Sequence, residues 1–230
     1  MKVYEILDRY KVHDLANPDE DSGITKINDI EKLAETIKHN CKDAVEAYKQ
    51  ARDFLYRGLR GESKKVIITG IRPDRRPVEM KPEFHEILHD AFLKLGLRAT
   101  RKNAIFCTTN IDLADDWGNV YVIFPKDGWD VTVFTRVTTG YSFHEISALS
   151  GYRIIRDEST THEEKIDFLA KEIGGLNPQN IDDAKGLTHV LKIGYEDILL
   201  TGDSYIGVRI DNGTTFVNDL FKLLEINHEF

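Results

Sequence analysis

His85-Glu86-Ile87-Leu88-His89 sets two imidazoles four residues apart with a carboxylate between them. On a helix such a pair shares one face, so both rings could reach a zinc ion while Glu86 activates a bound water. A zinc peptidase also needs a third ligand. The residues after His89, Asp90-Ala91-Phe92-Leu93-Lys94-Leu95-Gly96, supply neither a further histidine nor an obvious ligand helix downstream. The apolar centre of the helix would be Phe84, Leu88, Ala91 and Leu95, which leaves both histidines on its flank. The expectation is therefore an ordinary surface-flanking pair, with zinc hydrolysis through His85, His89 and Glu86 kept as an alternative.

Three other segments carry groups that could act on one ligand. Tyr56-Arg57-Gly58 offers a guanidinium, whose planar fork of donors suits bidentate binding of oxyanions. Phe106-Cys107-Thr108-Thr109 ends in two small hydroxyl residues, which can hydrogen-bond without filling a pocket. Tyr195-Glu196-Asp197-Ile198-Leu199-Leu200 places two carboxylates just before an apolar run. Singly, each has a plainer reading: a solvated arginine, a β-favouring threonine pair, a charged strand entry. They follow one another at intervals of roughly 50 and 90 residues, which suits one compact domain. In that order they resemble the three signature strands of ADP-ribosyltransferases of the arginine–serine–glutamate type. The stretch Ala114-Asp115-Asp116-Trp117-Gly118-Asn119-Val120-Tyr121-Val122-Ile123-Phe124-Pro125 resembles the family's continuation, a short helix and a glycine leading into an apolar strand that ends at proline.

The resemblance implies an ADP-ribosyltransferase-like split core with NAD as substrate and a macromolecular acceptor, a protein. Arg57, between Tyr56 and Gly58, would hold the dinucleotide, and Thr108 and Thr109 would order the site. A carboxylate, Asp197 or Glu196, would stabilise the positive charge that develops on ribose as nicotinamide leaves. The acids depart from the family's Glu-x-Glu. Counted back from the strand, the catalytic place holds Asp197 and the preceding acid's place holds Tyr195, while strand alternation would turn Glu196 to the opposite face. Either Asp197 acts with a shorter reach, or a one-residue bulge brings Glu196 into place. A third outcome is a fold that has lost transfer chemistry and serves as an inhibitor or virion component. Phe134 and Tyr141 are candidates to stack on nicotinamide. Similarity to phage and mobile-element proteins around residues 72–76 and 118–125 implies a phage-type origin, and so a host-cytoplasmic location.

These residues need elements to hold them. Apolar positions recur at helical spacing over 27–54, with Asn28 or Asp29 as a cap. Strands are expected at 54–59, 65–69, 104–108, 120–124 and 131–134. Two prolines make 71–77 an exposed basic loop carrying Arg72, Arg75 and Arg76, which could meet an anionic target. Helices are expected from Pro82 to Gly96, over 162–173 and 181–193, and over 216–226 at the end. A hairpin should pair 197–201 with 204–210 across Gly202-Asp203. Strands in consecutive pairs favour an α+β fold of mixed or antiparallel sheets over a parallel doubly wound one. The division expected is an arm and helices over 1–53 and a single core over 54–230.

Composition bounds the partners. Hydrophobic residues make up 41% and charged residues 30%, ordinary for a globular chain. A formal net charge of −8 disfavours nucleic acid unless a local basic patch exists. Two cysteines make no disulfide framework, and the sequence has neither a signal-type N-terminus nor a spanning apolar run. A soluble cytoplasmic protein is the expectation.

Overall fold

The computed structural model describes residues 30–75, 82–135, 159–210 and 215–228. Helix α1 (Ile30–Asn40) buries Leu33, Ala34 and Ile37, the stripe its spacing requires. Glu31 in its first turn and Lys38 in its last complement the helix dipole. Helix α2 (Lys42–Ala51) follows and ends at Arg52, which takes the left-handed conformation at φ 59°. The helical spacing over 27–54 is thus met by two helices. The Asp127 backbone N–H donates to the Asn40 carbonyl at 2.7 Å, and the Asp127 carboxylate accepts from the Asp43 N–H at 3.2 Å. One distant residue serves both helix ends, a contact no local pattern announces.

Among the described residues eight strands follow: β1 (Tyr56–Leu59), β2 (Val66–Gly70), β3 (Ile105–Cys107), β4 (Asn119–Pro125), β5 (Asp130–Phe134), β6 (Pro178–Ile181), β7 (Ile198–Thr201) and β8 (Ser204–Arg209). The first sheet has the order β1-β4-β8-β2 and the second β3-β7-β5-β6. Every pairing is antiparallel. The chain is therefore α+β, with two antiparallel four-stranded sheets. The edge strands β1 and β3 meet. Tyr56 N–H donates to the Thr108 carbonyl at 2.7 Å and Thr108 N–H to that of Tyr56 at 2.9 Å. This bridge ties the sheets together and satisfies backbone groups that edges otherwise expose.

The remaining helices are α3 (Pro82–Lys94), α4 (Ile111–Asp116), α5 (His162–Gly175), α6 (Ala184–Ile193) and α7 (Thr215–Leu224). The main apolar cluster joins both sheets to α1, α2, α6 and α7, so the two N-terminal helices share the strands' core. A smaller cluster lies under α3 and α5, where Phe84, Ile87, Leu88 and Phe92 meet Leu169 and Ile173. Strand β7 shows why the second sheet is apolar on both faces: Ile198 and Leu200 enter the main cluster and Leu199 the smaller one.

Two expectations fail. Residues 197–201 and 204–210 form no hairpin, because β7 pairs with β3 and β5 while β8 pairs with β2 and β4. The turn at Gly202, with φ 149° and so close to Trp129 that an added Cβ would stand 3.2 Å from the Trp129 α-carbon, carries the chain from one sheet to the other. Residues 178–181, where the sequence shows no strand pattern, form β6, and the helix placed over 181–193 begins at Ala184 with Asp183 as its cap. Among the described residues, no helix is long and apolar enough to cross a membrane.

Candidate functional site

Arg57 lies in the middle of β1 and is only 6% exposed. Its Nη1 donates to the Phe106 carbonyl on β3 at 2.9 Å, so the charged head is held where the two sheets meet. A buried cation is costly unless hydrogen-bonded, and this bond answers part of that cost. Just beyond β3, three donors converge on the Tyr195 carbonyl: Thr109 N–H at 2.9 Å, Thr109 Oγ1 at 3.0 Å and Thr108 Oγ1 at 3.4 Å. Thr108 Oγ1 also accepts from the Asn110 N–H at 3.0 Å. The Asn110 side chain then caps α4 by accepting from Asp112 N–H and Leu113 N–H. The arginine, threonine and acid segments therefore converge on one junction.

The acids depend on how the chain enters β7. Cys107 pairs with Ile198, yet the next bond, two residues on, joins Thr109 to Tyr195, three residues back. Between these two bonds the β7 side holds one residue more than the β3 side, Glu196 and Asp197 against Thr108, which is the count of a β-bulge. Glu196 is exposed and Asp197 half-buried. On the other flank of β7, Val133 pairs with Ile198, the last pair of that ladder before the two acids.

The neighbours of Arg57 have other work. The Tyr56 ring packs in the main cluster edge-on to Phe54, and its hydroxyl bonds the Asp53 carboxylate. Gly58 lies beneath α4, against Ala114 and Trp117. Phe134 is buried in the smaller cluster with its ring edge-on to Phe92 at 6.1 Å. Tyr141 and Arg76 lie outside the described residues.

The histidine pair behaves differently from expectation. His85 is not on the flank of α3 but buried, at 4% exposure. Burial, reinforced by the nearby positive charge of Arg101, pushes its imidazole down from 6.5 to about 4. His89 Nδ1 shares a hydrogen bond with Thr100 Oγ1 at 2.9 Å, and Glu86 is paired with Lys102 at 2.6 Å. Among the described residues, no group of three His, Cys, Asp or Glu side chains is placed to hold a metal ion. The sign of the His85 effect follows from its depressed value. Unfolded chain takes up a proton near 6.5 that folded protein refuses until about 4, so stability should fall as pH drops through that window. His85→Gln should flatten this part of a plot of urea midpoint against pH. An unchanged slope would assign the loss to other groups.

Sequence reasoning passed over Arg101 and treated Arg75 as part of a solvated loop. Both fold back on β3. The Arg75 N–H donates to the Lys102 carbonyl at 2.8 Å and its Nη1 to that of Ala104. Its guanidinium stands 5.9 Å from the Phe106 ring centroid, and that of Arg101 stands 4.9 Å away. An aromatic preceding the threonine pair, with arginines in two nearby loops, was the available signal. The cysteines are chemically quiet, since burial pushes both Cys41 and Cys107 up to about 12. No protein-family model, curated protein or solved structure matches the chain.

Proposed function

We propose that the protein transfers ADP-ribose from NAD to a protein acceptor. The observation that carries this reading is the junction itself: buried Arg57 is bonded to Phe106, and Thr108 and Thr109 are bonded to Tyr195, the residue just before Glu196-Asp197, so three separate segments are tied together. When NAD is bound, its ribose–nicotinamide bond is the one to break, with nicotinamide leaving with the bonding electron pair and the acceptor's nucleophile bonding the ribose carbon as its proton passes to solvent. Arg57 supplies the fork that binds phosphate oxygens. The threonines fix the Tyr195 carbonyl and so set where the carboxylates begin. A carboxylate at that position stabilises the positive charge that builds on the ribose. The acidic chain, with its net charge of −8, makes a protein the better acceptor than a nucleic acid.

Incubation with NAD labelled in its adenylate half and a bacterial lysate should give labelled protein adducts. Arg57→Ala should lose them, and Arg57→Lys, which keeps the charge without the fork, should retain only a small part. Equal labelling by folded Arg57→Ala would remove Arg57 from the mechanism. One observation favours a second reading, a binding protein on the same fold: Tyr195 stands where the family's first acid would be, with its carbonyl engaged by both threonines. That reading predicts bound NAD without release of nicotinamide.

A further inference from the structure

Phe106 is the point at which three guanidinium groups gather. Arg57 donates to its carbonyl at 2.9 Å, while Arg101 and Arg75 lie 4.9 Å and 5.9 Å from its ring centroid. They arrive from three places in the chain, namely β1, the loop after β2 and the loop after α3. Arg75 is anchored at both ends, through its own N–H and through its guanidinium, so its position is not that of a drifting surface side chain. Two neighbours register the same charge. The Cys107 thiol is pulled back from its burial-driven rise by Arg57 and Arg75, and His85 is pushed down by Arg101.

We propose that Arg75 and Arg101 join Arg57 around Phe106 as a subsite for the diphosphate of a dinucleotide. Attraction to an aromatic ring can hold a cation, but three like charges at one residue repel one another. Each arginine makes further contacts as well, so the crowding of positive charge marks the place, not a lack of partners. A diphosphate suits such a cluster. It carries more than one negative charge and several acceptor oxygens, and planar guanidinium forks match them in pairs. The overall field of an acidic chain repels such a ligand, so a local cluster has to supply the attraction. The naming of NAD as the natural ligand rests on the transfer reading; the phosphate chemistry rests on the arginines.

The test is calorimetric titration with inorganic pyrophosphate and, separately, with NAD. The proteins compared are wild type, Arg75→Gln, Arg101→Gln and Arg72→Gln, the last an exposed arginine paired with Asp74. Each of the first two variants should weaken pyrophosphate binding about tenfold, the size of one lost charge-assisted hydrogen bond. Arg72→Gln should bind as wild type does. Arg75→Lys and Arg101→Lys keep the charge without the fork and should bind more tightly than the glutamine variants yet less tightly than wild type, which guards against a glutamine variant that folds poorly. Unweakened binding by both glutamine variants overturns the subsite, and so does an equal loss in Arg72→Gln. The two readings separate cleanly. NAD turnover that ignores Arg75 and Arg101 removes the subsite and keeps the transferase, whereas pyrophosphate binding that needs both arginines, without any turnover, does the reverse.

Discussion

Gly58→Ala should lower stability by about 3 kcal/mol and the thermal midpoint by about 10 °C. A methyl group at this position would overlap the Ala114 carbonyl oxygen and stand 2.7 Å from Trp117 Cβ and 2.9 Å from the Trp117 carbonyl carbon. Two of those three atoms are backbone, so no rotamer change can clear them. Helix α4 would have to lift from β1. The next connection is equally tight, because a side chain on Gly118 would meet the Arg60 backbone nitrogen at 2.6 Å in a conformation, φ 132°, that only glycine adopts freely. Lifting α4 also disturbs Asn110, which joins its capping bonds to the hydroxyl of Thr108. Binding at the junction should therefore weaken along with stability. Gly175→Ala is the matched control, since nothing lies within 4 Å of the added carbon there. Equal melting of Gly58→Ala and Gly175→Ala would mean that α4 is not seated on β1 as described.

Much of the fold was legible because its signals are local. The apolar runs of β1, β2, β4 and β5 and the stripes of the helices follow directly from residue type and period. What failed was decided by partners. Pro178-Gln179-Asn180-Ile181 has no strand pattern, yet it pairs along β5 as an edge, with a proline at the first position where an edge tolerates it. The run of two apolar strands around Gly202-Asp203 has the outward form of a hairpin. Each strand prefers a central place between two others, which burial of both faces rewards, so the turn crosses between sheets. His85 was misplaced because the helix stripe is wider than its four most apolar positions, extending to Ile87 and Phe92. The order of the three site segments could be read from the chain, but not their spatial register. Alternation assumes unbroken pairing, and the extra residue before β7 shows only in the bonds from Thr109 to Tyr195. Arg75 was named only as a loop arginine that could meet an anionic target and Arg101 not at all, for a related reason: a loop arginine's destination is set by whatever aromatic the fold presents, here Phe106.

That extra residue decides which acid to remove. Without a bulge, Asp197 would be the carboxylate opposite Thr108 and Glu196 would face away. With it, both fall in the interval between the Cys107–Ile198 pair and the Thr109–Tyr195 bond, and Glu196, the longer side chain, is the exposed one. Under the transfer reading, Glu196→Gln should cut nicotinamide release about 100-fold or more, the usual cost of losing one preorganised electrostatic group. Its affinity for NAD should stay near the wild-type value, because a charge that acts mainly on the developing cation contributes little to the ground state. Asp197 is half-buried and less open to a ligand than Glu196, so Asp197→Asn should lose about tenfold at most through a shift in the bulge. Rates are followed by nicotinamide appearance and affinities by titration with NAD, which keeps the chemical step apart from binding. The reverse order, with Asp197→Asn silent in binding yet far slower than Glu196→Gln, would return the reaction to the shorter carboxylate. It would also mean that the bulge serves the backbone alone.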